Sequence, residues 1–228
     1  MKDVIVVSYI TKRGGMLDEY EDQLAAAGID FHLEPVVLED GIVSITARWK
    51  FQFIRAMCDR FAEYERIAFT DAWDVLFFGT KDDLILKIVS WPTFSAERNC
   101  WPEDLTSEIV STSPWRFANA GMLAGSPTSI LRWLETPCPA ENLDVMEQAW
   151  LNRRLADHSF PLQLDETTRL FYTVSCDRED GALRIRGGKP FNARYGTYPQ
   201  FLHFAGRCSS TPFRAMLRGA TDRLCASV

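Results

Sequence analysis

The chain has 228 residues, of which 46% are hydrophobic and 25% charged, which predicts a folded α/β protein and excludes disordered, collagen-like and coiled-coil chains. The 25 basic and 31 acidic residues leave a formal net charge of −6, which disfavours a strongly basic nucleic-acid-binding face. No apolar stretch approaches the about 18 residues of a membrane span, and the N-terminal run containing Asp3 is unlike a signal peptide. We therefore expect a cytoplasmic protein without a transmembrane segment.

The six cysteines are widely spaced, and no two form a CxxC pair. This spacing excludes zinc-ribbon and dithiol redox motifs. A chain of this length also buries a core without disulfide bridges. We therefore expect free thiols that pack in a reducing compartment.

The first seventy residues alternate between short β-branched runs and amphipathic stretches. They predict a strand at 3–10, a helix at 16–27, a strand at 30–38, a helix at 46–64 and a strand at 66–70. Gly28 follows the first helix in the usual position after a C-terminus. Strands that alternate with helices indicate a mostly parallel sheet with crossover helices.

The second half of the chain is less regular. Segments 95–102 and 113–127 are rich in Trp, Pro, Gly and Asn and predict loops and short strands. Further predicted elements are helices at 126–135 and 144–157, short strands from residue 160 onward, and a closing helix at 211–225. No linker or repeat divides the chain. We expect one domain over residues 1–228, with a Rossmann-like front half and an irregular C-terminal half.

An acidic pair follows the third predicted strand. The hydrophobic run RIAFT leads directly into Asp71, and Asp74 lies three residues further on. Open parallel sheets bind ligands beyond the carboxyl ends of their strands, and Mg²⁺ and Mn²⁺ prefer oxygen ligands. The pair therefore predicts a metal-bridged diphosphate site. A polar turn in which Asp71 caps the next segment is the alternative.

Further segments accompany this acidic motif in a fixed order. After FTDAWDV (69–75) come FSAERNCWP (94–102), FANAGMLAGSP (117–127), MEQAWLNRR (146–154), LQLDETTRLFY (162–172) and FLHFAG (201–206). Together they resemble metal-dependent nucleotide-sugar glycosyltransferases of the GT-A fold. They are most similar to the glycosyltransferase domain of collagen lysyl hydroxylases and to the related procollagen glycosyltransferases, over roughly residues 3–207.

The resemblance implies a metal site and a nucleotide-sugar site. Asp71, Asp74 and His203 match the residues that hold Mn²⁺ (or Mg²⁺), and Asp71 also contacts the donor. Asn119 and Gly121 match an Asn-x-Gly that faces the donor sugar. An Asn supplies both a donor and acceptors to sugar hydroxyls, while a Gly permits close backbone approach.

Other donor-binding residues follow from the same resemblance or from position in the fold. Lys50 matches a lysine on the long helix, and Gly206 belongs to the glycine motif after the metal-site histidine. Glu97 and Trp101 lie in the segment that lines the sugar pocket, where a Trp face can stack on sugar C–H groups. The nucleotide base is expected near Ser8 and Tyr9, at the end of the first strand.

The chain departs from the family pattern at two places. Two aspartates usually precede the glutamine of the C-terminal helix, where this chain has Met146 and Glu147. Glu147 and Glu97 are the predicted catalytic carboxylates, and Glu147 is the candidate base. Asp144 to Glu147 also fits a capping box, in which Glu147 only helps to start the helix. In the histidine motif, Ala205 replaces an asparagine.

The function predicted first is glycosyl transfer from a nucleoside diphosphate sugar, expected to be a UDP-sugar, to an acceptor hydroxyl on a glycan, protein or lipid-linked sugar. A phosphohydrolase or nucleotidyltransferase with the same carboxylates is the first alternative. For a nucleotidyltransferase, Gly14 and Gly15 are the candidate phosphate loop. A degenerate transferase that binds a nucleotide or glycan without turnover is the second alternative, favoured by Met146.

Overall fold

The computed structural model describes residues 1–11, 13–36, 46–136, 143–174, 181–206, 210–211 and 213–215. The strands are β1 Lys2–Ile10, β2 Asp30–Pro35, β3 Tyr64–Thr70, β4 Val75–Phe77, β5 Thr93–Glu97, β6 Phe117–Gly125, β7 Gln163–Leu164, β8 Phe171–Thr173, β9 Leu183–Arg186, β10 Lys189–Asn192 and β11 Phe201–His203. The helices are α1 Leu17–Ala26, α2 Ala47–Arg60, α3 Lys81–Lys87, α4 Pro127–Leu134 and α5 Glu147–Ala156.

A six-stranded sheet with the order β2-β1-β3-β6-β5-β7 forms the centre of the fold. β1 is parallel to β2 and β3, and β5 is parallel to β7, whereas β6 runs antiparallel to both β3 and β5. The predicted α/β class with a mostly parallel central sheet is therefore confirmed. A second sheet, β4-β11-β8, and a β9–β10 hairpin complete the described strands. That the whole chain is a single domain stays a prediction.

The two faces of the central sheet carry separate apolar cores. Along β1 the side chains alternate, so that Val4 and Val6 join the core under α1 and α3, while Ile5 and Val7 join the core under α2, α4 and α5. This period of two is what a strand buried on both faces requires. The sheet is therefore covered on both sides, and its strand ends are the places open to ligands.

The front-half elements agree with the sequence predictions, apart from their ends. α2 ends at Arg60, short of the predicted 64, because β3 already begins at Tyr64. The last residues of the predicted strand 30–38 lie outside the described part of the chain, where β2 ends at Pro35.

In the second half of the chain, the structure differs from the predicted elements. Segment 113–127, predicted as loops and short strands, contains the nine-residue strand β6, which is buried along its whole length between β3 and β5. Its Ala, Gly and Asn residues have low strand propensity, and position in the middle of the sheet overrides that propensity. Segment 95–102 likewise begins with the end of β5. Helix α3 was not predicted. Of the predicted closing helix 211–225, the structure describes only residues 211 and 213–215.

The described cysteines are Cys58, which is buried, and Cys100, which is half-buried, and neither forms a disulfide. The other four lie outside the described ranges. Within those ranges no helix has both the length and the apolar character needed to cross a bilayer.

Two strand registers bring distant parts of the chain together. β11 pairs antiparallel with β4, which sets His203 opposite Val75, and the Phe204 N–H donates to the carbonyl of Asp74 at 2.8 Å. In the central sheet, the Asp71 N–H that follows β3 donates to the carbonyl of Gly121 in β6, also at 2.8 Å. The chain after β3 is thus held between β6 and β11.

Asp165 tethers the segment that leads into β8, the parallel neighbour of β11. Its buried carboxylate accepts the backbone N–H groups of Arg169, Leu170 and Phe171 at 3.0, 2.7 and 2.9 Å. Because it satisfies three N–H groups at once, this one side chain fixes the approach of β8 to the histidine-bearing strand.

We predict that Asp165→Ala lowers the free energy of unfolding by about 3 kcal/mol, because it leaves buried N–H donors without an acceptor. Urea denaturation measures the change. Asp22→Ala, which removes an exposed carboxylate on α1, serves as the control and leaves the midpoint unchanged. A loss below about 1 kcal/mol for Asp165→Ala would contradict the tether.

Candidate functional site

A cleft of about 240 Å³ opens at the carboxyl ends of β1 and β3. Tyr9, Asp71, Trp73 and Asp74 line it, together with backbone and apolar groups of the first loop. The Trp73 side chain is 43% exposed. The cleft therefore combines two carboxylates with an aromatic wall at the strand ends where open sheets bind ligands.

Lys50 projects from the second turn of α2 onto Asp71. Its ammonium is buried and lies 3.0 Å from Asp71 Oδ1 and 4.8 Å from the centre of the Tyr9 ring. The Tyr9 hydroxyl donates to the same Oδ1 at 3.1 Å. Burial acts to lower the pKa of Lys50, but Asp71, Tyr9 and Glu147 together outweigh it and raise the pKa above its ordinary value. Lys50 is therefore a fixed cation that orients one oxygen of Asp71.

Glu147 begins α5 beside this ion pair. The N–H of Ala47 donates to Val145 and an isolated bridge joins Thr46 to Met146, so that the starts of α2 and α5 lie side by side. Burial raises the pKa of Glu147, while Lys50 acts to lower it.

The predicted capping box before α5 is wrong. The residue preceding the helix is Met146, and it makes no side-chain cap. Asp144 instead forms an ion pair with Arg48, whose Nε lies 2.7 Å from its carboxylate. Glu147 is therefore not occupied in capping.

Asp74 and His203 meet across the β4–β11 pairing. His203 is buried, and its Nε2 lies 3.2 Å from Asp74 Oδ1. Burial acts to lower the pKa of His203, but Asp74, with smaller contributions from Asp71 and Glu97, outweighs it and raises the pKa. The surroundings of this imidazole therefore favour positive charge.

Asn119 lies behind His203, on the central strand β6. Its Oδ1 is 3.0 Å from His203 Nδ1 and accepts the Gly121 N–H at 3.0 Å. Ser95 donates to the Asn119 carbonyl at 2.9 Å, a contact created by a register shift between Phe94 and Ser95 in the β5–β6 pairing. Asn119 is thus buried between the histidine and β5.

Glu97 ends β5 in a buried position, where its Oε1 accepts a hydrogen bond from Gln148 Nε2. Burial raises the pKa of Glu97 to about 7, although His203, Gln148 and Asn119 act to lower it. A carboxyl of this pKa changes its protonation state near neutral pH.

The remaining predicted site residues lie at different depths. Ser8 is buried below the cleft, and its hydroxyl lies 2.8 Å from that of Thr70. Trp101 is 52% exposed on the loop after β5, where its carbonyl accepts a hydrogen bond from Asn152. Gly206 follows β11 with a φ of +71°, and a Cβ placed there would meet no atom of the described residues within 4 Å.

Gly14 and Gly15, the candidate phosphate loop, have a packing role instead. A Cβ at Gly15 would lie 2.4 Å from the Trp73 carbonyl and 2.9 Å from its ring, and the Met16 N–H donates to that carbonyl at 2.9 Å. The glycines therefore allow the first loop to pack against Trp73.

Sequence reasoning missed two residues of the site. Trp73 lines the cleft, and its position between two aspartates on a strand end was the available signal. Gln148 contacts both Asn119 and Glu97. The family resemblance marks Gln148 as the glutamine that follows Met146 and Glu147, but no local sequence pattern shows these contacts.

We predict that Gly121→Ala lowers the free energy of unfolding by about 1–3 kcal/mol, because overpacking displaces neighbouring side chains. The added Cβ would lie 2.4 Å from His203 Cε1 and 2.8 Å from its Nδ1. Urea denaturation tests this against Gly181→Ala, whose Cβ would meet no atom within 4 Å in the part of the chain that the structure describes. Equal stability of the two variants would show that His203 does not require a glycine beside it.

The Glu97 carboxyl predicts a pH-dependent stability difference. Its ordinary pKa is 4.5, so the unfolded chain loses this proton near 4.5 whereas the folded chain keeps it until about 7. The contribution of Glu97 to the free energy of unfolding therefore decreases as the pH rises from 4.5 to about 7. We expect Glu97→Gln to match the wild type near pH 4 and to be more stable by about 3 kcal/mol near pH 8. A constant difference across urea denaturations at these pH values would contradict the shift.

Comparison with known proteins identifies the family. The sequence model of the PLOD GT domain, the glycosyltransferase domain of collagen lysyl hydroxylases, matches residues 40–211. No curated protein sequence matches the chain.

One solved structure supports the fold, and a second is similar over a smaller part of the chain. A glycosyltransferase involved in the glycosylation of the major capsid of PBCV-1 is similar with a TM-score of 0.52 and 12% identity, over 94% of this chain and 98% of that one. A197 from STIV is similar over 67% of this chain and 77% of that one, with a TM-score of 0.38 and 12% identity. The first supports a GT-A-like fold, and the family match covers most of the chain, including every strand from β3 to β11. The chain belongs to the PLOD glycosyltransferase domain family and is a glycosyltransferase.

Proposed function

We propose that this glycosyltransferase transfers a sugar from a UDP-sugar to an acceptor hydroxyl and depends on Mn²⁺ or Mg²⁺. The observation that carries the proposal is the pair of carboxylates, Asp71 and Asp74, that line an aromatic-walled cleft, with the buried His203 Nε2 lying 3.2 Å from Asp74 Oδ1. The donor, the metal and each residue role below are parts of this proposal.

The side chains fit a cation that is bound together with a diphosphate. Among the described residues, no three His, Cys, Asp or Glu side chains form a ready-made metal cage. Asp74 and His203 are in contact, and Asp71 lies along the same wall of the cleft with one oxygen held by Lys50. Mg²⁺-type ions need only one or two carboxylates when substrate phosphates and water supply the other ligands.

Asp71, Asp74 and His203 would hold the cation. When bound, it supplies Lewis-acid stabilisation of the negative charge that develops on the departing diphosphate. The raised pKa of His203 supports this place for a cation, because the same carboxylates that favour an imidazolium favour a metal ion.

The nucleotide would occupy the cleft between Tyr9 and Trp73, where an aromatic wall suits a planar base. Ser8 precedes Tyr9 on β1, and its buried hydroxyl lies 2.8 Å from that of Thr70, which precedes Asp71. On the other side of the metal site, Gly121, Gly206 and the exposed ring of Trp101 would flank the transferred sugar.

Glu147 is the proposed base that takes the acceptor proton. Its Oε2 is buried and has no hydrogen-bond partner among the described residues, which leaves a lone pair for a hydroxyl. Burial raises its pKa, and a base of raised pKa accepts a proton more readily. Glu97, with a pKa near 7, is the second candidate carboxyl, held by Gln148.

The alternatives remain outcomes of the test. Family membership favours transfer over phosphate hydrolysis, and the packing of Gly15 on Trp73 disfavours the phosphate loop that a nucleotidyltransferase would need. Met146, which stands where the family usually has an aspartate, favours the second alternative, a module that binds a nucleotide or glycan without turnover.

We predict that Asp74→Asn weakens Mn²⁺-dependent UDP binding by more than about 100-fold. Replacing a residue that only supports a metal ligand already lowers metal affinity by about 10–100-fold, and Asp74 is a proposed ligand itself. Calorimetric titration with UDP in Mn²⁺ and in EDTA measures the loss, and release of UDP from a panel of UDP-sugars measures turnover. Asp82→Asn, an exposed carboxylate on α3, is the matched control and keeps wild-type affinity.

Wild-type binding that is the same in Mn²⁺ and in EDTA would overturn the metal dependence. UDP binding without consumption of any UDP-sugar would identify a binding module, and release of free phosphate would identify a phosphohydrolase.

A further inference from the structure

The orientation of the Asn119 carboxamide is fixed by a backbone group. The Gly121 N–H, which can only donate, lies 3.0 Å from the atom assigned as Oδ1. Exchanging the oxygen and nitrogen of the amide would set two donors against each other. The opposite side agrees, because Nδ2 donates to Gln148 Oε1 at 3.4 Å and Gln148 Nε2 donates to Glu97.

This orientation also fixes the tautomer of His203. Its Nδ1 lies 3.0 Å from Asn119 Oδ1, and an amide oxygen can only accept. The proton of a neutral imidazole must therefore sit on Nδ1 to make this bond. The lone pair is then on Nε2, the atom that lies 3.2 Å from Asp74 Oδ1 on the cleft side.

The carboxamide oxygen has no capacity left for a sugar hydroxyl. It accepts from Gly121 and His203 and also lies 3.2 Å from the Ser95 hydroxyl, so that donors converge on both of its lone pairs. The Asn119 residue is 3% exposed. With its oxygen so occupied, Asn119 could contact a donor sugar only through Nδ2, which already donates to Gln148 Oε1.

We propose that Asn119 is a positioning residue for the metal-site histidine: its carboxamide oxygen holds the His203 proton on Nδ1 and presents the Nε2 lone pair to the cation. This inference rests on the proposed metal-dependent function. Histidine ligands commonly donate their second N–H to an oxygen, which orients the ring and strengthens the metal bond.

The test compares Asn119→Leu with Asn192→Leu. Asn192 is also fully buried, but its side chain contacts Arg194 and Thr168 in the β9–β10 region instead of His203. Mn²⁺ affinity is measured in the presence of UDP by titrating the free ion. We expect Asn119→Leu to lose about 10- to 100-fold in affinity and Asn192→Leu to keep it.

A spectroscopic readout separates positioning from general damage. The chain has three histidines, so the imidazole ¹H–¹⁵N signals of the Mg²⁺·UDP form can be assigned with His203→Ala. We expect a hydrogen-bonded Nδ1–H for His203 in the wild type and its loss in Asn119→Leu. A His203 proton found on Nε2 in the wild type would overturn the inference.

A second variant covers the case in which Asn119→Leu does not fold. In Asn119→Asp a carboxylate oxygen can still accept from His203 and Gly121, so the Nδ1–H signal persists; its absence would count against the inference.

The two proposals fail in different ways. If the wild type binds no Mn²⁺ with UDP, the proposed function falls and the inference with it. If the wild type binds Mn²⁺ and Asn119→Leu binds it equally well, the inference alone falls.

Discussion

The antiparallel pairing of the short strands β4 and β11 is the constraint on which the site depends. It brings His203 beside Asp74, although 129 positions separate them in the sequence (203 − 74), and the Phe204–Asp74 hydrogen bond closes the contact. A matching bond from Asp71 to Gly121 fixes the other end of the same segment against β6. Because both ends are tied to sheets, the two aspartates are held by backbone hydrogen bonds and not by their side chains alone.

The carboxylates of the site differ in the partners that balance their charge. Lys50 neutralises Asp71 from the helix side, whereas Asp74 contacts only the imidazole among the ion pairs described for it. Further back, Glu97 is held by amide donors and has a raised pKa because burial outweighs those bonds. The site thus places the carboxylates of Asp71 and Asp74 at the cleft and a hydrogen-bonded network of buried groups behind them, an arrangement suited to a cation at the surface of a polar network.

The elements with strong local signals could be predicted from the sequence. β1, β3 and α2 have clear periodicity, and the segment FTDAWDV with its family resemblance identified the acidic strand end. β6 could not be recognised, since its small and polar residues become a strand only through the neighbours that flank them. Likewise, no sequence pattern shows that a lysine on an amphipathic helix is buried. The Asn119–His203 contact joins residues 84 positions apart on β6 and β11, which no local pattern relates.

The Lys50–Asp71 pair also bears on which ion the protein would select. Both hydrogen bonds to the Asp71 side chain, from Lys50 and from Tyr9, end on Oδ1. With one oxygen already occupied, the carboxylate can offer a cation a single oxygen and cannot chelate it. Ca²⁺ fills a shell of about six to eight oxygens and often takes both oxygens of a carboxylate, whereas Mg²⁺ accepts single oxygens in a compact octahedron. In the proposed metal site, the buried lysine behind this carboxylate would therefore favour Mg²⁺ or Mn²⁺ over the larger Ca²⁺.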